Sequence, residues 1–216
     1  MKIKILLAFL ACLFLTTSCK REKKEYYPDG RLKSVQQYKG KKQQGVSTWY
    51  YDNGKKQLEA SYLNNKLEGK TTRWYFNGSK EAEEMYKNGL RNGLSVNWNT
   101  SGLKIEERTY SNDTLDGTYL MYHENGVVKI EGGYKKGLYD GKWTYYNEFG
   151  FRIGDGNYHQ GNGTQRAFHQ NGKLWIEVPY ASNKRNGVGR EYNNNGKLIK
   201  ESIYKDDILI ETKSFE

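Results

Sequence analysis

Residues 74–97 read WYFNGSKEAEEMYKNGLRNGLSVN, and the features of this stretch return along nearly the whole chain. An aromatic residue, Trp74, stands four positions before Gly78, and Tyr86 follows that glycine by eight. Six of the seven intervals between equivalent tyrosines are 24 residues, and the remaining one is 22. The tyrosine position is filled at Tyr38, Tyr62, Tyr86, Tyr110, Tyr134, Tyr158, Tyr180 and Tyr204. A fixed period of this length predicts a tandem-repeat architecture.

Turn residues define the ends of the repeating segments. The turn glycines that follow asparagine are Gly54, Gly78, Gly126, Gly172 and Gly196. Asn-Gly predicts a type I′ hairpin turn, in which both central residues have positive φ. A glycine about every dozen residues would cost a helix about 1 kcal/mol each, whereas the Tyr, Trp, Thr, Val and Ile between them favour strands. We therefore predict an all-β fold, an elongated antiparallel sheet of about eight β-hairpin repeats with an aromatic core.

The N-terminus resembles an export signal. Two lysines precede the uncharged apolar run 5–15, which is too short to span a membrane. Small and hydroxylated residues then lead to Cys19, as in a bacterial lipobox, so we predict a signal peptide at 1–18 and acylation of Cys19. An ordinary secretory signal is the alternative. Residues 19–25 are predicted to be a short tether, and 26–216 the repeat array, capped by a last strand from Ile208 to Lys213.

Composition limits the classes of function. The only cysteines are Cys12 and Cys19, so the exported chain has no disulfide and no thiolate zinc site. The formal net charge is +10. Because lysines alternate with glutamates and the chain carries an export signal, we interpret this charge as a solvated surface and expect no nucleic-acid partner. Contact with anionic lipid or glycan is the alternative.

No catalytic constellation is present. His123, His159 and His169 lack metal-ligand spacing, and the first and last of them occupy a strand position predicted to be solvated. No phosphate-binding loop, dinucleotide fingerprint or nucleophile elbow occurs. An acidic residue recurs at Glu59, Glu83, Glu107, Glu131, Asp155, Glu177 and Glu201, and we expect it to pair with Lys56, Lys80, Lys104 and Lys129. We predict no enzyme activity, no metal and no cofactor.

Sequence differences between units indicate where a partner could bind. One slot, on the face opposite the aromatics that precede the turns, holds Trp49, Arg73, Asn97, Met121, Tyr145, Ala167 and Glu191 in successive units. The candidate partner-binding residues are Trp49, Met121, Trp143, Tyr145 and Trp175. The unit of 22 residues is shortened between Tyr158 and Gly163, which predicts a tighter return turn or a local change of twist.

These landmarks resemble the MORN-repeat variant of YwqK-type antitoxins. The resemblance is carried by Trp74–Gly78, Glu83, Tyr86 and Gly93, and it extends over about residues 22–210. It implies a binding scaffold without catalytic residues. Combined with the export signal, it predicts a membrane-anchored scaffold in the cell envelope, with the outer membrane as the expected site, that binds a protein or an envelope polymer. The alternative is an antitoxin-like or immunity-like protein that neutralises a toxin in the envelope.

Overall fold

A computed structural model of the protein describes residues 20–216 as a single antiparallel sheet of 20 strands. Each strand pairs with its hairpin neighbours along the chain, and three of the strands are short segments that pair, together with the segment after them, with the same preceding strand. The prediction of an all-β sheet of tandem hairpins is confirmed. The strands are β1 Lys20–Tyr26, β2 Leu32–Lys39, β3 Lys42–Gln43, β4 Gly45–Tyr50, β5 Lys56–Leu63, β6 Lys66–Trp74, β7 Lys80–Lys87, β8 Leu90–Trp98, β9 Lys104–Ser111, β10 Thr114–Tyr122, β11 Val128–Lys135, β12 Leu138–Tyr139, β13 Gly141–Tyr146, β14 Arg152–His159, β15 Asn162–Phe168, β16 Leu174–Ala181, β17 Lys184–Arg185, β18 Gly187–Tyr192, β19 Leu198–Lys205 and β20 Ile208–Ser214.

The turns around the repeated Asn-Gly pairs lie along one edge of the sheet, which we call the glycine-turn edge. At Gly54 the backbone N–H donates to the Tyr51 carbonyl at 3.0 Å, and the Tyr51 N–H donates to the Lys55 carbonyl at 2.8 Å. Gly54 has a φ of +80°, whereas Asn53 is not left-handed. This is a type I turn followed by a left-handed glycine. The predicted type I′ geometry is therefore wrong for these turns.

Two-residue turns of the type I′ kind occur at the opposite edge, which we call the return edge. Asn64 and Asn65 both have positive φ, 52° and 69°. Beyond this turn the pairing of β5 with β6 steps from Tyr62 opposite Leu67 to Ala60 opposite Thr71, so β6 contains a bulge. Gly69 lies in this bulge with a φ of +86°. Glycines with positive φ at this position, namely Gly45, Gly69, Gly93, Gly117, Gly141 and Gly187, thus allow the strand to bulge at six of the returns.

The two faces of the sheet differ in chemistry. The repeated tyrosines share one face, the tyrosine face, on which Tyr110, Trp143 and Tyr158 are 6%, 4% and 3% exposed. The repeated acids lie on the other, the carboxylate face, together with the aromatics that precede the turns. There Lys80 pairs with Glu83 at 2.9 Å. Equivalent pairs join Lys56 to Glu59 and Lys104 to Glu107, as predicted, but Glu131 accepts a hydrogen bond from Tyr146 instead of pairing with Lys129.

Side chains at the glycine-turn edge link five of the units to the next one. The hydroxyl of Tyr51 donates to the Trp74 carbonyl at 2.7 Å, and Nδ2 of Asn53 donates to the Phe76 carbonyl at 2.9 Å. His123 occupies the position of Tyr51, and its Nε2 lies 2.9 Å from the Tyr146 carbonyl. His169 makes the same contact at 2.8 Å with Tyr192. The expectation of solvated histidines is therefore wrong, because both rings join adjacent units.

The ends of the array differ in how well they match the predictions. The signal peptide at 1–18 and Cys19 lie outside the described residues. Residues 20–26 form strand β1, paired from Lys20 opposite Lys39 onwards, so the predicted tether at 19–25 is wrong for its described part. The last strand runs from Ile208 to Ser214, one residue beyond the predicted end at Lys213.

The 22-residue unit loses its bulge and keeps its turn. Gln160 and Gly161 form a two-residue turn with φ of 49° and 77°, like the other return turns. Strands β14 and β15 then pair without interruption from His159 opposite Asn162 to Gly154 opposite Ala167. The prediction of a tighter turn is wrong, because the two missing residues are those that form the bulge elsewhere.

Candidate functional site

A continuous apolar row crosses the tyrosine face in the second half of the array. Cross-strand pairing from β10 to β16 places each member of the row directly opposite the next member on the adjacent strand. We call this row the central strip, and it consists of Met121, Ile130, Tyr145, Gly154, Ala167 and Ile176. Glu106 is paired with its first residue and Glu191 with its last. The strip is thus an apolar surface of defined length with a carboxylate at each end.

Two clefts open beside the strip at the glycine-turn edge. The smaller, of about 370 Å³, is lined by Ile130 and Tyr145 of the strip and by Ile153. The larger, of about 690 Å³, is lined by Phe149, Phe151 and Ile153 together with aromatic and polar residues of the next turn. Asn147 and Ile153 line both clefts, so the two form one surface. A cleft of this size with mostly apolar lining and a few polar groups is typical of a binding site.

The larger cleft lies where one turn does not link to its neighbour through side-chain hydrogen bonds. At the positions of Phe149 and Phe151, the second unit has Asn53 and Lys55, whose side chains donate to carbonyls of the following turn. Phenylalanine has no donor. Among residues 20–216 no side-chain hydrogen bond joins the turn at 147–151 to the turn at 169–173. Phe149 and Phe151 are consequently 73% and 70% exposed at the mouth of the cleft.

Trp143, one of the predicted partner-binding residues, belongs to the core instead. Its ring packs against Tyr134 at 5.2 Å and Tyr139 at 4.6 Å between centroids, and its Nε1 donates to the Gly133 carbonyl at 3.1 Å. Only 4% of its surface is exposed. The prediction for Trp143 is therefore corrected, because a buried indole offers no surface to a partner.

The other four candidates occupy three different places. Met121 and Tyr145 are members of the central strip and half-buried. Trp175 adjoins the strip, 44% exposed, with its ring 6.0 Å from that of His169, which lines the larger cleft. Trp49 lies on β4, and its ring centroid is 6.4 Å from that of Tyr62. Strand β4 is six strand spacings, or about 29 Å, from β10. One contact surface can therefore include Met121, Tyr145 and Trp175, and Trp49 lies outside it.

Sequence analysis missed the most exposed residues of this surface. Phe149, Phe151 and Ile153 were not among the candidates, although Phe149 stands in a slot that all other units fill with polar residues such as Asn53. The signal available in the sequence was this mismatch between one unit and the rest. The consequence, an open junction between two turns, depends on contacts across strands.

Two titratable groups at the strip, Tyr145 and Glu106, have defined states. Burial raises the pKa of the Tyr145 hydroxyl to about 12, so it is a neutral hydrogen-bonding group at physiological pH. Glu106 is paired with Arg108. Within the described part of the chain, no three His, Cys, Asp or Glu side chains are grouped so that they could hold a metal ion. Nor do residues 20–216 contain a helix long and apolar enough to cross a membrane.

Comparisons with known proteins identify the repeat. A model of the MORN repeat variant matches six segments that together make up more than half of the chain: 22–39, 43–64, 67–88, 115–136, 162–182 and 185–206. No curated protein sequence matches the chain. Among solved structures, the crystal structures of TcdB2-TccC3-TEV and TcdB2-TccC3-Cdc42 are similar at 11% and 13% identity over 86% and 87% of this chain, with TM-scores of 0.24 and 0.19. The chain spans only 14% and 17% of those chains, and likeness at this level carries no argument about function. The six matched segments show that the chain belongs to the MORN repeat variant family.

Proposed function

We propose that this protein is a non-catalytic scaffold, held on a membrane of the cell envelope by acylated Cys19, that binds a protein partner through the central strip and its two clefts. Repeats of this family suggest a scaffold for binding, and the family is generally non-enzymatic. Because contacts in a repeat array are mostly between adjacent repeats, the array supplies an extended surface on which individual positions can vary.

The observation that carries the proposal is the exposed aromatic group at the mouth of the larger cleft. Phe149 and Phe151 are more than two-thirds exposed and project from a turn, where solvation alone would favour polar residues. They adjoin a strip without a charged residue between Met121 and Ile176. Aromatic side chains surrounded by polar groups are typical of the residues that contribute most to binding energy in protein interfaces.

The anchor is supported by the sequence and by the position of strand β1. The apolar run and the lipobox-like residues precede Cys19, and Lys20, the first described residue, is already part of strand β1. An acylated Cys19 would therefore hold the sheet directly at the membrane surface. Stable anchoring requires more than one acyl chain or a second membrane contact.

Crosslinking in intact cells tests the binding surface. We expect Phe149→Ser with Phe151→Ser to abolish crosslinks between the protein and its partner, because the pair removes the exposed apolar groups of the cleft. Val46→Ser with Leu94→Ser is the matched control, since both residues are similarly apolar and 43% and 47% exposed but lie outside the strip and clefts. Equal loss of crosslinks in both variants, or no specific crosslink in the wild type, would contradict the proposal.

Lipid labelling tests the anchor. Cys19→Ala is expected to abolish labelling by a fatty-acid probe and to release the protein from the membrane fraction. Surface proteolysis of intact cells then distinguishes a partner outside the cell from one in the periplasm. A crosslinked partner that is toxic when expressed alone in the envelope, and harmless with this protein, would favour the immunity-like function over a general scaffold.

A further inference from the structure

We propose that the larger cleft binds a cationic side chain, lysine or arginine, which the protein partner presents to it. The inference rests on the binding role proposed above and names the chemistry that this cleft recognises. Three features of the junction between the turn at 147–151 and the turn at 169–173 carry it. They are backbone carbonyls without a donor, an unfilled space beside a glycine, and aromatic rings around that space.

The chain itself shows which side chains such a junction holds. Between the second and third units, Nδ2 of Asn53 donates to the Phe76 carbonyl at 2.9 Å, and Nζ of Lys55 donates to the Asn77 carbonyl at 2.6 Å. Lys173 makes the equivalent contact with its following turn at 3.2 Å. A lysine ammonium is therefore a donor that the backbone oxygens of these turns accept.

The larger cleft offers the same acceptors without their donors. Phe149 and Phe151 stand at the positions of that asparagine and that lysine, and phenylalanine has no hydrogen-bonding group. The corresponding carbonyl oxygens belong to Gln170 and Asn171, and both residues are exposed. Within residues 20–216, no hydrogen bond reaches either oxygen. An ammonium or guanidinium carries several donors, so one cation from a partner can satisfy both.

The space that a lysine stem occupies elsewhere is vacant in this cleft. A Cβ on Gly78 would lie 3.1 Å from Cδ of Lys55, so the lysine stem crosses the glycine of the next turn. Gly172 has the same position in the turn after Phe151 and lines the cleft. A Cβ on Gly172 would meet no atom within 4 Å. The Phe151 side chain therefore leaves free the path that a lysine stem takes between the second and third units.

Aromatic rings around the vacant space favour a cation over a neutral donor. Phe149, Phe151 and Phe168 all line the cleft. The cleft already holds one cation in this way, because Cζ of Arg152 lies 5.5 Å from the centroid of the Phe168 ring. A cation within about 6 Å of a ring centroid is attracted by the negative face of the ring. Two further rings, those of Phe149 and Phe151, remain available to a cation from outside.

The charges around the cleft permit a second cation. Arg152 is paired with Asp155, so its charge is compensated. Lys173 directs its ammonium to the following turn. Glu148, next to Phe149 in the chain, is exposed and lines the adjoining smaller cleft. Among residues 20–216 it takes part in no ion pair, so its carboxylate is available to a cation bound nearby.

NMR titration of the purified full-length chain tests the inference with defined probes. The probes are the N-acetyl methylamides of lysine, arginine and norleucine, of which the last has the lysine stem without its ammonium. We expect the lysine and arginine probes to shift the backbone amide resonances of residues 149–151 and 170–172 saturably. Norleucine is expected to bind at least about fivefold more weakly, since it gains neither the ring attraction nor the carbonyl contacts.

A variant that fills the junction gives the sharper test. Phe149→Asn with Phe151→Lys installs the residues of the second unit, so the chain's own side chains should occupy the acceptors and abolish the saturable shifts. Ser101→Asn with Leu103→Lys is the matched control, because it makes the same replacements at the equivalent positions of another turn and adds the same charge. The control should bind the lysine probe as the wild type does.

Three results would overturn the inference: equal affinity for the lysine and norleucine probes, lysine binding that survives in the filled variant, or equal loss of binding in the control. The outcome is separable from that of the crosslinking experiment. Crosslinks that depend on Phe149 and Phe151, without saturable shifts from lysine or arginine, would refute the cationic ligand and leave the binding surface standing. Saturable lysine shifts without any specific crosslink would refute the proposed partner and leave the cation site standing.

Discussion

Replacing Gly132 by alanine should destabilise the centre of the sheet, because a Cβ at this position would lie 2.2 Å from Cδ2 of Trp143. The indole has no free space to move into. The rings of Tyr119, Tyr134 and Tyr139 surround it with centroids at 5.5, 5.2 and 4.6 Å, and its Nε1 donates to the backbone. Overpacking of this kind costs about 1–3 kcal/mol, and we expect the upper end of that range.

A double-mutant cycle gives the prediction its sharpest form. Trp143→Ala alone should cost about 3–5 kcal/mol, since the indole that it removes is only 4% exposed and is packed on all sides by neighbouring residues. In the Trp143→Ala background, however, the methyl group that Gly132→Ala introduces enters vacated space and should cost almost nothing. The two substitutions are therefore expected to be non-additive by about 2–3 kcal/mol.

Urea unfolding followed by far-ultraviolet circular dichroism measures these free energies without depending on the fluorescence of the removed tryptophan. Gly133→Ala is the matched control, because a Cβ there would lie 3.4 Å from the Asp140 carbonyl oxygen and meet no ring. If Gly132→Ala costs the same free energy with and without Trp143, the indole does not cover Gly132, and the proposed packing of the core is wrong.

Substitutions in the turns and titration of the tyrosines provide three further tests. His123→Phe should lower the free energy of unfolding by about 1 kcal/mol, since it removes the contact with the Tyr146 carbonyl, whereas His123→Tyr should be tolerated; equal effects in urea unfolding would contradict the linking role. Gly172→Ala should cost about 1 kcal/mol although no atom would lie within 4 Å of the new Cβ, because its φ is +80°; an unchanged midpoint would show that the turn relaxes. Burial raises the pKa of Tyr122 and of Tyr145 to about 12. A pKa raised in the folded state gives stability that is complete below the unfolded value of about 10 and is lost as pH rises towards 12, so alkaline titration monitored by circular dichroism should show unfolding in that window; constant stability to pH 12 would refute it.

Local sequence predicted local structure well where one residue type suits one conformation. Strands β7 and β8 follow from the turn glycines that bound them and from the strand-forming residues between those turns, and the final strand follows from the acidic turn at Asp206. The turn types were harder to predict, because an Asn-Gly pair fits both a type I′ turn and a type I turn followed by a left-handed glycine. In the turn before Gly54, the Asn53 side chain accepts a hydrogen bond from the Lys55 N–H of its own turn and donates one to the Phe76 carbonyl of the next unit. The second of these bonds can be recognised only when the neighbouring turn is in place.

The candidate site depended on residues that are distant in the chain. The 24-residue period identified Met121 and Tyr145 as variable positions on one face. It could not show that these two residues are partly exposed whereas Trp143 is buried. Burial of that indole requires the absence of a side chain at Gly132, which lies on the flanking strand β11. The cleft at Phe149 likewise requires the turn of the following unit.

The sequence by itself determined the period, the number of units, the all-β class and the alternation of faces, because these properties arise from residues within one hairpin. Only the tertiary structure decided which aromatics are core, where the apolar strip begins and ends, and which junctions between turns lack linking hydrogen bonds. The physical reason is cross-strand register: in a sheet, the neighbours that cover, pair with or expose a side chain come from strands one or two hairpins away.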